Sequence, residues 1–217
     1  IQEKRYPVRI GLIGCGGRGT GAANQSLTAN KDAVIWAMGD AFQDRLSSSA
    51  DTLKGEQADR AVVPMERRFV GFNAFQQVID SGVDMVILTR PPHFRPDDLA
   101  AAVKAKKHVF CEKPMAVDGT GVRSVMESAK LAKENDTNLM SGFCWRYAPA
   151  MRATYEHLLG GSIGDIRSVF ATYYTVPLWT KARKDSWSDM EWQMRNWVHF
   201  DWLGGDHIVE QACHSVD

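Results

Sequence analysis

The stretch that decides the fold is an apolar run, Val8-Arg9-Ile10-Gly11-Leu12-Ile13, that passes directly into Gly14-Cys15-Gly16-Gly17-Arg18-Gly19. This is G-x-G-x-x-G placed between a predicted strand and a predicted helix, a context far more specific than the glycines alone. Gly14 permits a tight turn, Gly16 lets the backbone approach a pyrophosphate, and Gly19 lets the helix pack closely on the strand. The free amides at the helix N-terminus would attract the phosphates. The sequence therefore predicts a dinucleotide-binding turn, with all six residues Gly14 to Gly19 as candidate cofactor contacts.

A second apolar run, residues 33–38, ends at Gly39-Asp40, which lies about 20 residues after the last glycine, as the fingerprint requires. A carboxylate there accepts hydrogen bonds from the adenosine ribose and repels a 2′-phosphate. We therefore predict NAD as the cofactor, with NADP less favoured and Asp40 as the selector. Arg18 leaves an alternative open, because it could neutralise a 2′-phosphate or contact the pyrophosphate.

Short β-branched runs alternate with helical patterns from residue 8 to about residue 141, which indicates a parallel sheet covered by helices on both faces. The fold class is thus α/β, a doubly wound parallel sheet over residues 1–145. The candidate strands are Val8–Ile13, Ala33–Met38, Arg68–Val70, Asp84–Leu88, His108–Cys111 and Asn138–Ser141.

The pattern changes after Cys144-Trp145-Arg146-Tyr147. A helix, a glycine-rich break and one long alternating strand over Ile166–Val176 follow, and then come a tryptophan-rich loop and a helix from about Gly205. We assign residues 146–217 to a second, incomplete domain. Because one strand and one helix cannot close a core, we expect the natural polypeptide to continue past Asp217.

Two further predicted strands end in residues that suit a cofactor site. The fourth runs into the stiff loop Thr89-Arg90-Pro91-Pro92-His93, from which we take Thr89, Pro91 and His93 as cofactor contacts. The fifth ends at Glu112-Lys113-Pro114. Ligands of open α/β sheets bind at this carboxyl edge, so Lys113 is a candidate catalytic cation.

The glycine turn, Thr89–His93, Glu112-Lys113-Pro114, Trp145-Arg146 and the last helix together resemble the glucose–fructose oxidoreductase, inositol dehydrogenase and rhizopine catabolism family. The resemblance implies a Rossmann domain followed by an α/β domain with an open, mainly antiparallel sheet that forms homo-oligomer contacts. It also implies hydride transfer between NAD(P) and a ring carbinol of a sugar or cyclitol. Lys113 would touch the reacting oxygen and lie near the nicotinamide, and both Glu112 and Lys113 would contact the cofactor.

The last helix is predicted to carry the second chemical centre. His207, Glu210, His214 and Asp217 would share an arc of roughly 80° on one helical face. The family pattern Asp-x-Gly-x-His-x-x-Asp matches at His214 and Asp217, whereas Glu210 replaces its first Asp. We therefore predict His214 as the acid/base, with Lys113 and Glu210 as the other catalytic groups.

Other interpretations of that helix stay open, namely a zinc site or a set of satisfied core histidines. The sequence has no H-E-x-x-H, and we predict no metal. Aromatic side chains stack on sugar rings, but the tryptophans of the preceding loop could equally be core or oligomer contacts. In the loop after the fourth predicted strand, Arg95 stands where many family members have a second histidine. The arginine weakens the transfer of that histidine's contact to this chain. The candidate substrate contacts are Lys113, Arg146, Trp197, His207, Glu210 and His214.

The composition restricts the partners. Twenty-six basic residues balance 26 acidic ones over 217 residues, so no overall field would collect nucleic acid or an anionic membrane. The four cysteines form no C-x-x-C pair, and no apolar run is long enough to span a bilayer. We expect a cytoplasmic protein with a small-molecule substrate, although removal of a leader from an exported precursor stays open.

The leading functional hypothesis is an NAD-dependent oxidoreductase acting at a ring carbinol of a sugar, amino sugar or cyclitol. One alternative is an NAD-dependent enzyme that cleaves glycosides through transient sugar oxidation. A second is a non-catalytic dinucleotide-binding sensor or assembly protein, suggested by the altered residue at Glu210.

Overall fold

The computed structural model describes residues 7–217. Its centre is one six-stranded sheet in the order β3-β2-β1-β4-β5-β6, and every neighbouring pair is parallel. The strands are β1 (Val8–Ile13), β2 (Ala33–Asp40), β3 (Arg68–Val70), β4 (Met85–Leu88), β5 (His108–Cys111) and β6 (Leu139–Ser141). All six strands predicted for residues 8–141 are confirmed, and so is the doubly wound Rossmann class.

Helices connect the strands and continue after the sheet. They are α1 (Gly17–Ala29), α2 (Gln43–Gln57), α3 (Ala74–Asp80), α4 (Arg95–Lys104), α5 (Gly119–Glu134), α6 (Pro149–Leu159), α7 (Asp189–Arg195), α8 (Asp201–Gly204) and α9 (Cys213–Val216). Short 3-10 turns occupy Ala58–Ala61, Met65–Arg67, Pro92–Phe94, Cys144–Tyr147 and Trp197–His199. A π-helical turn, Ile208–Ala212, precedes α9. Within residues 7–217, no helix has the length and apolar character needed to cross a bilayer.

The core lies on both faces of the sheet because alternate strand side chains point in opposite directions. On one face, Leu12 of β1 packs with Leu27 of α1 and Leu46 of α2. On the other, Ile13 packs with side chains of α3 and α4, among them Val78. Burial on both faces explains why the central strands β1, β2 and β4 are mainly apolar, and it leaves the carboxyl edge of the sheet as the place where loops are free to form a site.

One predicted strand is wrong. Residues 166–176 are extended without strand pairing, and their apolar side chains are exposed, at 80% for Val169 and 90% for Phe170. The alternation is suited to a strand, but no other strand of residues 7–217 pairs with this segment, and the hydroxyl of Ser215 donates to the carbonyl of Thr172 at 3.0 Å. The predicted antiparallel sheet after residue 146 is accordingly not formed by the part of the chain described.

The predicted terminal helix is present, but it contains a π-helical turn. Gly205 has φ +81°, a left-handed conformation that ends α8, and residues 206–216 are then helical throughout, with the π-helical turn at Ile208–Ala212. A π-helical turn rotates the later residues relative to the ideal 100° spacing. The shared face inferred from that spacing is therefore altered between His207 and His214.

Candidate active site

The glycine turn is built as its sequence requires. Gly14 has φ +98°, and a Cβ there would lie 2.7 Å from the backbone N of Arg90. A Cβ on Gly19 would lie 1.9 Å from the carbonyl O of Gly14, so only glycine lets α1 approach β1 this closely. The Thr89 hydroxyl donates to the same carbonyl at 2.6 Å. Thr89, predicted as a cofactor contact, thus also fixes the turn to the end of β4.

The beginning of α1 faces open space. Gly16 precedes the helix in an extended conformation, and nothing lies within 4 Å of a Cβ placed on Gly17. Helix N-termini of this kind present backbone N–H donors and a positive dipole end to a phosphate. The turn lines a cavity of about 860 Å³ together with Asp40, Thr89 and Pro91. Its size and its amide donors fit a dinucleotide.

Asp40 lies at the end of β2 beside the glycine turn, as predicted. Its Oδ2 accepts from the backbone N–H of Cys15 at 2.7 Å, and its Oδ1 accepts from that of Phe42 at 2.9 Å. An ionised carboxylate has about four lone-pair sites, so each oxygen keeps capacity for a ribose hydroxyl. The two backbone bonds hold the carboxylate in one orientation at the cavity wall.

Arg18 points away from Asp40. Its Nε lies 2.8 Å from Oε1 of Glu112 at the end of β5. Since β5 and β2 lie on opposite sides of β1, this ion pair directs the guanidinium towards Lys113. Of the roles left open for Arg18, contact with the 2′-position of the ribose is the one that this arrangement does not support.

The loop after β4 is packed rather than free. The ring of His93 lies edge-on to Trp202 of α8, with 5.3 Å between centroids. Arg95 is buried, and it donates to the carbonyl of Pro114 and, at 2.7 Å, to that of Arg90. Arg95 therefore joins the loop after β4 to the Lys113-Pro114 turn. From the sequence, Arg95 was noted only as the replacement of a histidine that is common in the family.

A buried carboxylate lies below this loop. Asp98 of α4 has its Oδ2 3.3 Å from Nε of Arg90, and both groups are largely shielded from solvent. Burial raises the pKa of Asp98 to about 7, against the opposing effect of Arg90 and Arg95. Desolvation outweighs the neighbouring cations here, so Asp98 titrates near neutral pH.

Lys113 and Glu210 meet directly. The Nζ of Lys113 lies 2.8 Å from Oε1 of Glu210 and 2.5 Å from its carbonyl O, and the lysine side chain is only 13% exposed. Glu210 reaches Lys113 from the π-helical turn. The structure therefore brings together two of the three groups predicted as catalytic.

His214, the third predicted catalytic group, is held by aromatic side chains close enough to Lys113 for its charge to act on the imidazole. Its ring stacks on Trp145 with centroids 5.3 Å apart and lies 6.2 Å from the ring of Tyr173. Burial lowers the pKa of His214, and the positive charge of Lys113 lowers it further. The buried Nδ1 has no hydrogen-bond partner among residues 7–217. Since Nδ1 is closed to solvent, Nε2 is the ring nitrogen that could meet a substrate hydroxyl.

The remaining predicted substrate contacts are divided between two places. Arg146 pairs with Asp217 at 2.6 Å, and His207 lies edge-on to Tyr173, so both lie near His214. Trp197 instead lines the cavity of the glycine turn. Within residues 7–217, no group of three His, Cys, Asp or Glu side chains is arranged to hold a metal ion.

Sequence reasoning missed several residues of the site. Tyr173 lay in the predicted strand, and its ring now packs against His214 and Trp145. Arg45 and Lys181 lie at the cavity wall, and no motif identified them. Arg45 could have been found from its position shortly after Asp40. No sequence signal points to Lys181.

The fold and the site define a dinucleotide-binding protein of the Rossmann class. Residues 8–143 match the oxidoreductase family with an NAD-binding Rossmann fold, and the chain belongs to that family, the glucose–fructose oxidoreductase, inositol dehydrogenase and rhizopine catabolism family. The predicted family is confirmed. The predicted cofactor, NAD, is the one that the family's Rossmann fold binds.

Relatives agree with this assignment. The chain is 31% identical over 157 residues to a myo-inositol 2-dehydrogenase of Thermotoga maritima, covering 72% of this chain and 42% of the relative. Scyllo-inositol dehydrogenase of Lactobacillus casei with bound NAD(H) superposes with a TM-score of 0.59 at 22% identity, over 73% of this chain and 43% of that one.

A 3-ketoreductase of Actinomadura kijaniata, in complex with NADP and TDP-benzene, superposes with a TM-score of 0.66 at 24% identity. It matches over 94% of this chain and 54% of its own length. At such identities the two structures establish the fold alone. The chain spans less than half of the length of the curated relative above.

Proposed function

We propose that the protein is an NAD-dependent oxidoreductase that transfers hydride at a ring carbinol of a sugar, amino sugar or cyclitol. The observation that carries the proposal is the Lys113–Glu210 pair beside His214, at the sheet edge that also holds the glycine turn. A cation and a neutral imidazole next to a dinucleotide cleft are the two groups that alcohol oxidation needs.

NAD would be held by the turn from Gly14 to Gly19 and by Asp40. When bound, it supplies a nicotinamide ring that accepts the hydride. The open helix N-terminus and the oriented Asp40 carboxylate support this placement. Arg18 and Glu112 would then lie on the nicotinamide side of the cleft, because their ion pair joins α1 to β5.

Lys113 would polarise the carbinol oxygen. An ammonium has three N–H donors, and Glu210 receives two of them, through its carboxylate and its carbonyl. The third donor is then available for the substrate oxygen. Positive charge at that position stabilises the alkoxide character that develops as hydride leaves.

His214 would take the carbinol proton. Burial and the Lys113 charge lower its pKa, which favours the neutral imidazole that a base requires. Because Nδ1 is buried, Nε2 would be the nitrogen that receives the proton. Trp145 and Tyr173 hold the ring by stacking. Glu210 acts through Lys113 and is better described as a positioning residue than as the base.

Residues 146–217 would form the substrate and oligomer-contact part of the protein. The support is the location of Arg146, His207 and His214 around one aromatic cluster, together with the exposed apolar side chains near Phe170. Light scattering on the full-length protein tests this: a homo-oligomer is expected, and a monomer at all concentrations would contradict it.

The proposal is tested by supplying the full-length protein with NAD and a panel of sugars, amino sugars and cyclitols. Net formation of NADH with a free sugar or cyclitol is expected. Cleavage of a glycoside without net NADH would favour the alternative of transient oxidation. Binding of NAD with no chemistry on any member of the panel would favour a sensor.

A further inference from the structure

A segment beyond the family's nucleotide domain forms one wall of the dinucleotide cleft. Residues 179–197, here called the wall segment, lie outside the matched range of 8–143. Four of their side chains line the same cavity of about 860 Å³ as the glycine turn and Asp40. These four are Trp179, Lys181, Met194 and Trp197.

The wall segment is anchored to the Rossmann domain by one ion pair. The guanidinium of Arg195 donates to both carboxylate oxygens of Asp44, at 2.9 and 3.0 Å, and its Nε donates to Glu191 at 2.8 Å. The Arg195 side chain is only 8% exposed. A two-pronged contact of this kind fixes orientation as well as distance.

The anchor lies next to the predicted ribose site. The Arg195 guanidinium lies between two rings, 4.0 Å from the centre of Phe42 and 4.8 Å from that of Trp187. Phe42 is the residue whose backbone N–H donates to Asp40. The wall segment is thus attached beside the carboxylate predicted to select the adenosine ribose.

Lys181 is held in the wall by a buried asparagine. Asn196, which is 1% exposed, accepts from the backbone N–H of Lys181 at 2.7 Å and donates to its carbonyl at 3.2 Å. Burial lowers the pKa of Lys181, and the nearby cations Arg45 and Arg195 lower it as well. Cations gathered at a cavity wall favour an anionic ligand.

We propose that the wall segment is part of the dinucleotide-binding site, with Lys181 facing the phosphate-bearing adenosine half and Arg195–Asp44 as its positioning anchor. The proposal concerns cofactor binding alone, so it does not depend on which substrate is oxidised. It also explains why the buried Arg195 of a largely exposed segment pairs with an α2 carboxylate beside the cleft.

The anchor is tested by NADH fluorescence titration and by stopped-flow dissociation on the full-length protein. Asp44→Ala is expected to raise the Kd of NADH roughly tenfold, mainly through faster dissociation. Asp51→Ala on the exposed side of the same helix is the matched control and should leave Kd unchanged. Asp44 also lines the cavity, where its negative charge would repel phosphate. Loss of that repulsion alone would tighten NADH binding, whereas loss of the anchor would weaken it. Unchanged or tighter binding would overturn the proposal.

Exchange of the pair separates anchoring from a general loss of structure. The double variant Asp44→Arg with Arg195→Asp is expected to restore most of the affinity lost in Asp44→Ala. Failure to restore it would overturn the role of the ion pair. Melting of the cofactor-free variants shows whether each protein is folded when its affinity is measured.

Lys181 is tested with a ligand that lacks nicotinamide. Lys181→Met should weaken ADP-ribose and NADH by the same factor, about five- to tenfold, and should reduce the salt dependence of binding. Lys54→Met, an exposed lysine on α2, is the control. Equal affinity in the two variants would contradict contact between Lys181 and the adenosine half.

Discussion

The Lys113 ammonium donates twice to one residue, since its Nζ lies 2.8 Å from Oε1 and 2.5 Å from the carbonyl O of Glu210. These residues are 97 positions apart, one after β5 and the other in the π-helical turn. The contact therefore brings the two predicted chemical centres of the sequence together.

Glu210→Gln should lower turnover roughly tenfold to a hundredfold, which corresponds to about 1.4–2.7 kcal/mol of barrier. The amide keeps the size of the side chain but no longer balances the Lys113 charge. Affinity for NAD should change less than about twofold, as Glu210 does not line the cavity of the glycine turn. The exposed Glu127→Gln on α5 is the control. Equal steady-state rates for the two variants would exclude a role for the pair.

His214 should titrate below the usual histidine value. Burial and the Lys113 charge both lower its pKa, so the neutral base persists to lower pH. The acid limb of the pH–rate profile should therefore have its midpoint below about 6.5. Glu210→Gln removes a carboxylate that raises this pKa and should move the midpoint lower still. A midpoint at or above about 6.5, measured by kinetics or by NMR titration of His214, would contradict the lowered pKa of this histidine.

Asp98 should make stability fall as pH rises. Its pKa is about 7 in the folded protein, against 3.8 in the unfolded chain. The folded state holds the extra proton between those values, so the free energy of unfolding decreases across that interval by up to about 1.4 kcal/mol per pH unit. Asp98→Asn removes this contribution.

The measurement for Asp98 is denaturant unfolding of the wild type and Asp98→Asn between pH 4 and pH 8, with Asp51→Asn as the control. The variant should gain stability relative to the wild type as pH rises to about 7. A difference between the two proteins that is the same at every pH would show that Asp98 does not titrate in this range.

Gly19→Ala should disrupt the glycine turn. The added Cβ would lie 1.9 Å from the Gly14 carbonyl and 2.5 Å from the Thr89 hydroxyl, so α1 must move away from β1. Gly21→Ala, two residues further along the same helix, adds a Cβ with nothing within 4 Å. We expect loss of NADH binding and a lower Tm in the first variant, and an unchanged or higher Tm in the second. Matching behaviour of the two would contradict the close packing.

The sheet could be predicted from sequence because its central strands β1, β2 and β4 are largely buried and read as mainly apolar runs. The glycine turn and Asp40 could also be predicted, since their spacing is fixed by local geometry. The conformation of residues 166–176 could not be predicted, because an alternating pattern indicates a suitable strand but not whether a neighbouring strand is present to pair with it. A strand forms only where another backbone satisfies its N–H and C=O groups.

Long-range contacts were the other part that sequence could not supply. The pairing of Arg195 with Asp44 joins residues 151 positions apart, and nothing in either local pattern refers to the other. Lys113 and Glu210 were each identified, but their direct contact depends on the π-helical turn, which the ideal helical spacing did not include.

The central claim is tested most directly by single-turnover hydride transfer in the full-length protein carrying Lys113→Ala, with saturating NAD and an active sugar or cyclitol. NAD affinity is measured on the same sample. The account predicts a rate at least about 100-fold below the wild type with nearly unchanged affinity, because the main role proposed for Lys113 is to polarise the reacting oxygen. Hydride transfer at the wild-type rate would contradict it.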